Sequence, residues 1–486
     1  MDFPVFHADL IGNRAIIAVI ATLHVLINHG LAVGMMPLIA AMEWHGRRTG
    51  DKRWDTLAYK LLFFCFLITT TIGALTGVGI WLSASLINPY AIGSLIRVFF
   101  WAWFTEWLVF ITEVCLIIAY FQTWKKWTSE EAKRNHIRLG AALAAFSWIT
   151  MAIIVSILGF MMDPGSWLTD RTLFAGFTNP IYLAQLAFRT PLALSMAGVI
   201  AAFLTICFVR RNDPFRIKAL KAVNLWVLFW VPVTLAGGWW YASAVPTAMA
   251  ENLGAALLTM QFEGWLSDFL KIVIGTVALL YLIAQIGTLR PRWIPSAGYL
   301  AALLAIVWLT GHFERVREFI RKPYVIGQYM YANGMRVSDY PLLKRDGVLA
   351  HSTYSYPLSP QETGPAAPEA RVQLQRGKDV FMLTCSRCHT GAGVNSVVHR
   401  FEGLFPGDWD RGQLADYTTA MHDTRPYMPP FPGTRDELLA LSDYLIQLRA
   451  TGAAVPGAQT VGVALGESGE PQPKIVFRAI LTEKKP

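Results

Sequence analysis

Residues 139–162 read LGAALAAFSWITMAIIVSILGFMM, an uncharged run long enough to cross a hydrocarbon core as a helix. It is entered from Lys133, Arg134 and Arg138 and closed by Asp163-Pro164. In lipid an unpaired backbone N–H or C=O has no water to turn to, so such a run forms a helix, whose backbone bonds are internal. Outward from it, comparable runs occupy residues 15–42, 57–82 and 92–120 on one side and 181–209, 219–241, 266–286 and 295–309 on the other, the last near the lower length limit. Composition agrees: of 486 residues, 54% are hydrophobic and 15% charged, with a mean hydropathy of +0.39, which excludes a water-soluble two-domain protein. The predicted fold class is all-α, a polytopic transmembrane helical bundle of about eight spans followed by a small all-α domain. The first run does not read as a cleavable leader, because an acidic segment precedes it and it is too long.

Basic loops resist translocation, so the placement of Lys and Arg orients the bundle. The first connection carries Arg47, Arg48, Lys52 and Arg53; the third Lys125, Lys126, Lys133, Arg134 and Arg138; the fifth Arg210, Arg211, Arg216, Lys218 and Lys221; the seventh Arg290 and Arg292. The connections between them hold a single basic residue, Arg171. The expectation is a multi-pass protein of a bacterial inner membrane, with its amino terminus and everything beyond about residue 311 on the outer, periplasmic side. The net charge of +9 reflects the inner loops, and no motif points to nucleic acid.

The segment Cys385-Ser386-Arg387-Cys388-His389 is C-x-x-C-H. Two thiols at this spacing form thioethers to the porphyrin vinyls and the adjacent imidazole reaches the iron, giving covalent haem c. Gly377 and Phe381 precede it on an amphipathic helix, Met428 lies in Tyr427-Met428-Pro429-Pro430-Phe431 where a loop can present a thioether, and residues 436–448 read as a closing helix. Residues 371–449 thus resemble a class I cytochrome c domain, with His389 and Met428 as axial ligands. A zinc knuckle needs further ligands at suitable spacing, and a redox dithiol does not require His389. Cys65, Cys115 and Cys207 sit singly in apolar runs and read as core fillers.

Polar groups inside spans are costly and mark functional sites. They are His24 and His29 on the first span, Glu106 and Glu113 on the third, and His312, Glu314 and Glu318 near the outer end of the eighth. Five residues on a helix rotate by about 140°, so His24 and His29 do not face one cofactor. Glu106 and Glu113, seven apart, share a face and read as a proton relay or a haem-side carboxylate pair, or as buried carboxylates bonded to neighbouring helices.

Residues 14–331 look like subunit I of the cytochrome bd oxidase family. The resemblance rests on Leu23-His24 followed by Gly34 and Met42-Glu43, on Gly73-Ala74-Leu75-Thr76-Gly77, on Glu106 and Glu113, on Gly159-Phe160-Met161-Met162-Asp163-Pro164, on Asn179-Pro180, and on Glu318-Phe319-Ile320-Arg321-Lys322-Pro323-Tyr324, which is similar to the family's Glu-x-Gly-Arg-Gln-Pro-Trp box. It implies haem b or haem d in the membrane, with His24 and Glu318 serving the high-spin haem pair and Glu106 and Glu113 beside it on the proton route. His29 is the alternative ligand. The chain also departs from the family. Where the low-spin haem takes a histidine and a methionine, it reads Ala187-Phe188-Arg189-Thr190 and Lys271-Ile272-Val273-Ile274; the quinol connection is short; Ile320 replaces the box glycine. Loss of the quinol-side haem and gain of a c haem imply electrons exchanged through haem c.

The expected organisation is a membrane haem domain over 1–331, an outer-face linker over 332–370 acting as an extended tether, a cytochrome c domain over 371–451, and a tail over 452–486 whose apolar run 475–481 reads as a partner-binding strand. Two functions compete: a terminal oxidase subunit that reduces oxygen, and a non-catalytic electron-transfer subunit of a larger respiratory complex. A bare membrane anchor for the c domain is a third. Expected partners are membrane lipid, other respiratory subunits including a second bd-like subunit, and a periplasmic cytochrome or redox complex.

Overall fold

Short capping signals set where the long helices begin. Ser129 Oγ accepts from the Ala132 amide at 3.2 Å, Asp51 Oδ1 from the Arg53 amide at 3.2 Å, and Asp213 Oδ1 from the Phe215 amide at 2.8 Å with Pro214 in the first turn. The protein, seen in a computed structural model that describes residues 4–258, 266–452, 459–460 and 463–464, is all-α in class. Eight apolar helices form the larger unit: α1 (Asn13–Thr49), α2 (Lys52–Ile87), α3 (Pro89–Thr123), α4 (Glu130–Met162), α5 (Tyr182–Phe208), α6 (Pro214–Ala244), α7 (Leu266–Leu289) and α8 (Ser296–Ile320). Among the described residues seven are long and apolar enough to cross a membrane, and α7 adds the shorter apolar stretch Val273–Leu289. The eight apolar runs of the sequence fall on these helices, and the last is longer than the run 295–309 suggested, because His312, Glu314 and Arg317 continue the helix. Both α1 and α2 widen by a residue per turn, at Asn28–Val33 and Thr69–Gly73, a feature common where helices carry function.

The four basic connections gather at one end of this bundle. Lys133 at the start of α4 pairs with Asp55 of α2, Lys218 of α6 reaches Asp51 at 3.3 Å, and Arg216 donates to Ser296 Oγ of α8 at 3.3 Å. The opposite end is tied by neutral bonds: the Asn252 amide donates to the Lys322 carbonyl at 2.7 Å, the Gly327 amide to the Met161 carbonyl at 3.1 Å, and Asn179 Nδ2 to the Ser156 carbonyl at 2.9 Å.

The chain divides into two compact units, the bundle (Ile17–Ala84, Tyr90–Gly334) and a second one built from Met1–Ile16, Ser85–Pro89 and Met335–Pro486. Four helices frame the second unit: α9 (Pro368–Thr384), α10 (Val397–Leu404), α11 (Arg411–Thr424) and α12 (Arg435–Thr451). α9 and α12 cross closely because Gly377 has no side chain: a Cβ there would lie 2.1 Å from the Ala440 carbonyl oxygen and 2.6 Å from Tyr444 Cβ.

The extended-tether reading of 332–370 gives way here. That stretch carries the helices Tyr340–Asp346 and Pro360–Thr363 and the strand Tyr354–Ser355, and carboxylates of α9 and α12 hold it. Glu437 accepts from the Val348 and Leu349 amides at 3.0 and 2.8 Å, and Asp379 from the Tyr356 amide at 2.6 Å and Ser355 Oγ at 2.8 Å. Glu362 takes Lys378 Nζ at 2.6 Å and Tyr444 OH at 2.7 Å. Prolines shape such a segment without deciding whether it packs; buried acceptors for its amides decide that. Both ends of the sequence join in too. His7–Ala8 pairs antiparallel with Gln459–Thr460, Tyr354–Ser355 with Val463–Ala464, and the amino-terminal segment bonds through Gly391 N to Asp9 Oδ1 (2.9 Å) and Val394 N to the Leu10 carbonyl (2.9 Å). The run 475–481 lies outside the described residues.

Candidate haem sites

In the second unit, α9 ends at Thr384 and the Cys388 and His389 amides both donate to the Cys385 carbonyl, at 3.1 and 3.0 Å, so the C-x-x-C-H residues form one tight turn. Neither cysteine is in a disulfide, and both are half-buried. Burial pushes the Cys385 thiol up to about 11, which keeps it from being the ready thiolate that a redox dithiol needs. The His389 Nδ1 lies 3.2 Å from the Asn395 carbonyl. A carbonyl only accepts, so the proton sits on Nδ1, the tautomer in which Nε2 is the coordinating nitrogen.

Met428 stands in the loop between α11 and α12. Its amide donates to the Arg425 carbonyl at 2.8 Å and its carbonyl accepts from His422 Nδ1 at 2.5 Å, which fixes the loop from both sides. In the same unit Tyr417 meets Phe401 and Phe405 edge to face, and the buried Tyr417 hydroxyl has no protein partner. An apolar aromatic wall with one orphaned hydroxyl suits the edge of a porphyrin, so the residues present fit haem c.

In the bundle, His24 of α1 faces α2. Its Nδ1 lies 3.2 Å from Thr76 Oγ1, and that hydroxyl spends its proton on the Ile72 carbonyl at 2.8 Å. Thr76 must therefore accept, His24 carries its proton on Nδ1, and Nε2 keeps its lone pair for a metal. His29 differs. Its Nε2 lies 3.2 Å from Arg189 Nη1, and a guanidinium only donates, so this lone pair is already engaged. Arg189 in turn binds Glu314 Oε1 at 2.9 Å, and Arg317 holds the other Glu314 oxygen at 2.9 Å. The tautomer at His24 fits haem ligation; the His29 environment is an ion-pair cluster.

Glu113 of α3 accepts from Ser147 Oγ at 2.6 Å and Thr150 Oγ1 at 3.3 Å, both on α4, and Glu106 sits two turns away on the same face of α3. Glu318, at the end of α8, is bound by Arg321 at 2.6 Å with Lys322 Nζ at 3.6 Å. The structure thus places His24 and His29 against different helices and Glu113 in a hydroxyl cradle. The sequence reading missed two groups. Arg189 was noticed only as a replaced ligand, although a lone arginine in an apolar span demands a buried partner. The second group centres on the fully buried Glu43: its Oε1 accepts from His136 Nδ1 at 2.6 Å and Lys133 Nζ at 2.8 Å, and its Oε2 from Tyr120 OH at 2.7 Å. Its members lie on three helices, and Glu43 and Lys133 read in sequence as a motif residue and a loop charge.

No family model and no curated protein matches the chain. Among solved structures it is similar to the bd oxidase from Geobacillus thermodenitrificans, at a TM-score of 0.55 and 17% identity, over 64% of this chain and 87% of that one. The membrane fold of this chain is therefore bd-oxidase-like.

Proposed function

We propose that this chain is a respiratory haem protein of a bacterial inner membrane that takes electrons at a periplasmic c haem and passes them to haem b or d in the bundle, where oxygen is reduced. The observation that carries this reading is the hydrogen-bond chain His24–Thr76–Ile72, which presents a bare imidazole lone pair inside an apolar bundle of bd-oxidase-like fold. In the second unit Cys385 and Cys388 would form the thioethers, His389 and Met428 would hold the iron, and the unpartnered Tyr417 hydroxyl would be free to bond the group. In the bundle His24 would supply the axial nitrogen. Bound haem supplies one-electron chemistry and, where an axial position stays open, a site for dioxygen.

The protein's own groups supply the rest. Glu113, cradled by Ser147 and Thr150, and Glu106 beyond it are exchangeable carboxyls on one helix face and would carry protons toward the reacting oxygen. Arg189, locked between His29 and Glu314, supplies no haem ligand at the position where the bd family has its low-spin histidine, which supports electron delivery through haem c rather than from quinol. The second reading, an electron-transfer subunit without oxygen chemistry, is favoured by Glu318, whose carboxylate is engaged by Arg321 and Lys322.

The test is a reduced-minus-oxidised spectrum of the purified protein with pyridine haemochrome analysis and carbon monoxide addition. Haem c with a membrane haem that binds carbon monoxide is the expected result; haem c with an unreactive membrane haem supports the relay, and haem c alone removes both readings.

A further inference from the structure

We infer that the buried Glu43–His136 pair is a proton-loading port at the basic-loop end of the bundle, feeding the α3/α4 seam; this deepens the functional reading above and rests on it. The argument starts from atoms that can only accept. His136 is fully buried, its Nδ1 lies 2.6 Å from Glu43 Oε1 and its Nε2 lies 2.9 Å from the Tyr120 carbonyl. Both bonds are made only if both ring nitrogens carry hydrogen, or if Glu43 itself is protonated. In either form the pair holds one proton more than a carboxylate beside a neutral imidazole, and that proton shifts across a single short hydrogen bond.

The surroundings lead from this proton toward solvent at the basic-loop end. Lys133 Nζ touches Glu43 and also pairs with Asp55, whose side chain is one-third exposed at the basic end and accepts from Trp124 Nε1 at 3.1 Å. On the other side Tyr120 OH bonds Glu43 Oε2. Tyr120 follows Glu113 by seven residues, as Glu113 follows Glu106, so the three share one face of α3 at intervals of about 10 Å. On α4, Ser147 follows His136 by eleven residues, close to three full turns, and so lies on the same face. The seam thus runs from Asp55 and Lys133 through Glu43, His136 and Tyr120 to Glu113 with Ser147. Gly140 of α4 keeps it closed around the phenol, since a Cβ there would lie 2.7 Å from the Tyr120 oxygen.

Each electron that enters a buried haem adds a negative charge in low dielectric, which a proton from the aqueous phase offsets. When dioxygen is the final acceptor, electrons from a c-type donor and these protons end together in water, and the pair is reprotonated from the side of Asp55. A purely structural ion cluster would move no proton.

The experiment uses the full protein, with both haems, reconstituted in vesicles with a pH-sensitive dye on the basic-loop side, and electrons supplied at the c haem. The wild type is expected to take up protons from that side as the membrane haem is reduced. Glu43→Gln and His136→Gln, which keep hydrogen-bonding groups but cannot hold the extra proton, are expected to slow uptake at least tenfold with haem content and c-haem reduction unchanged. Glu43→Asp recovers part of the rate, and Glu130→Gln on the exposed surface does not change it. Should Glu43→Gln fail to assemble, Tyr120→Phe, which removes one hydroxyl, is expected to slow uptake several-fold. Uptake at the wild-type rate in assembled Glu43→Gln or His136→Gln, or uptake from the opposite side, overturns the port alone. A wild-type protein without a membrane haem overturns the functional reading, and the port with it.

Discussion

The two units bury charge in different ways. In the second unit the buried carboxylates Glu437 and Asp379 accept mainly from backbone amides and a hydroxyl of the segment 348–356, and Glu362 of the neighbouring turn takes Lys378 of α9 and Tyr444 of α12, so that loops are stitched to helices. In the bundle the buried charges are spent on one another across helices, Arg189 with Glu314 and Arg317, and Glu43 with Lys133 and His136. Helices already satisfy their own amides, so a carboxylate between spans finds no backbone donor and must find a charged or hydroxyl partner. The lesson is that a buried acid ties the chain locally in one unit and couples distant helices in the other.

The sharpest break of this contrast is loss of one haem without the other. Cys388→Ala is expected to abolish covalent haem, read by haem staining on a denaturing gel, and to leave the membrane haem in place. His24→Ala should do the reverse and remove the carbon monoxide response, while His29→Ala keeps it; a membrane haem retained in His24→Ala and lost in His29→Ala transfers the ligand role to His29.

Next comes the ion cluster. Glu314→Gln leaves the Arg189 guanidinium buried and half-paired, at a cost of about 3–5 kcal/mol in the bundle. Thermal unfolding in detergent reads it, and the combined Arg189→Leu, Glu314→Leu and Arg317→Leu variant is expected to restore most of the stability. If Glu314→Gln melts like the wild type, the bundle charges are not coupled as described.

A smaller effect separates coordination from attachment. Met428→Ala should leave haem c covalently bound and lower its reduction potential, measured by redox titration, because a thioether opposite histidine raises the potential.

The smallest test is acid stability of the second unit. Burial alone would push the Glu362 carboxyl up, but Lys378, the Ser359 amide and the Tyr444 hydroxyl together outweigh it and hold the carboxyl below its ordinary 4.5. A carboxyl lowered in the folded state contributes stability that is present above pH 4.5 and is lost as pH falls through the lower folded value. Asp379 has the opposite sign: burial, only partly offset by its hydrogen bonds, raises its carboxyl, so its contribution favours the folded state at low pH and fades as pH rises through the raised value. Lys378→Met should therefore weaken the unit at pH 7 and flatten its acid transition, monitored by circular dichroism from pH 7 to 3; an unchanged transition would assign acid unfolding to other carboxylates.

Spans, basic loops and the C-x-x-C-H turn were legible because each is contiguous: hydropathy, loop charge and a five-residue motif are properties of neighbours in sequence. The packed segment 332–370 was not, since Pro357, Pro360, Gly364, Pro365 and Pro368 describe the stiffness of a chain and say nothing of the amide acceptors waiting on α9 and α12. Nor was the preference between His24 and His29, because their difference lies in Thr76 and Arg189, residues of other helices.

By itself, then, the sequence determined an all-α membrane bundle with its basic connections at one end and a C-x-x-C-H turn. Only the tertiary structure decided which histidine nitrogen keeps a lone pair, that Arg189 is bound to Glu314, and that Glu43, Tyr120 and His136 meet. A lone pair or a shared proton depends on which donors and acceptors face it in space, and that pairing is set by helix packing between residues up to 160 positions apart.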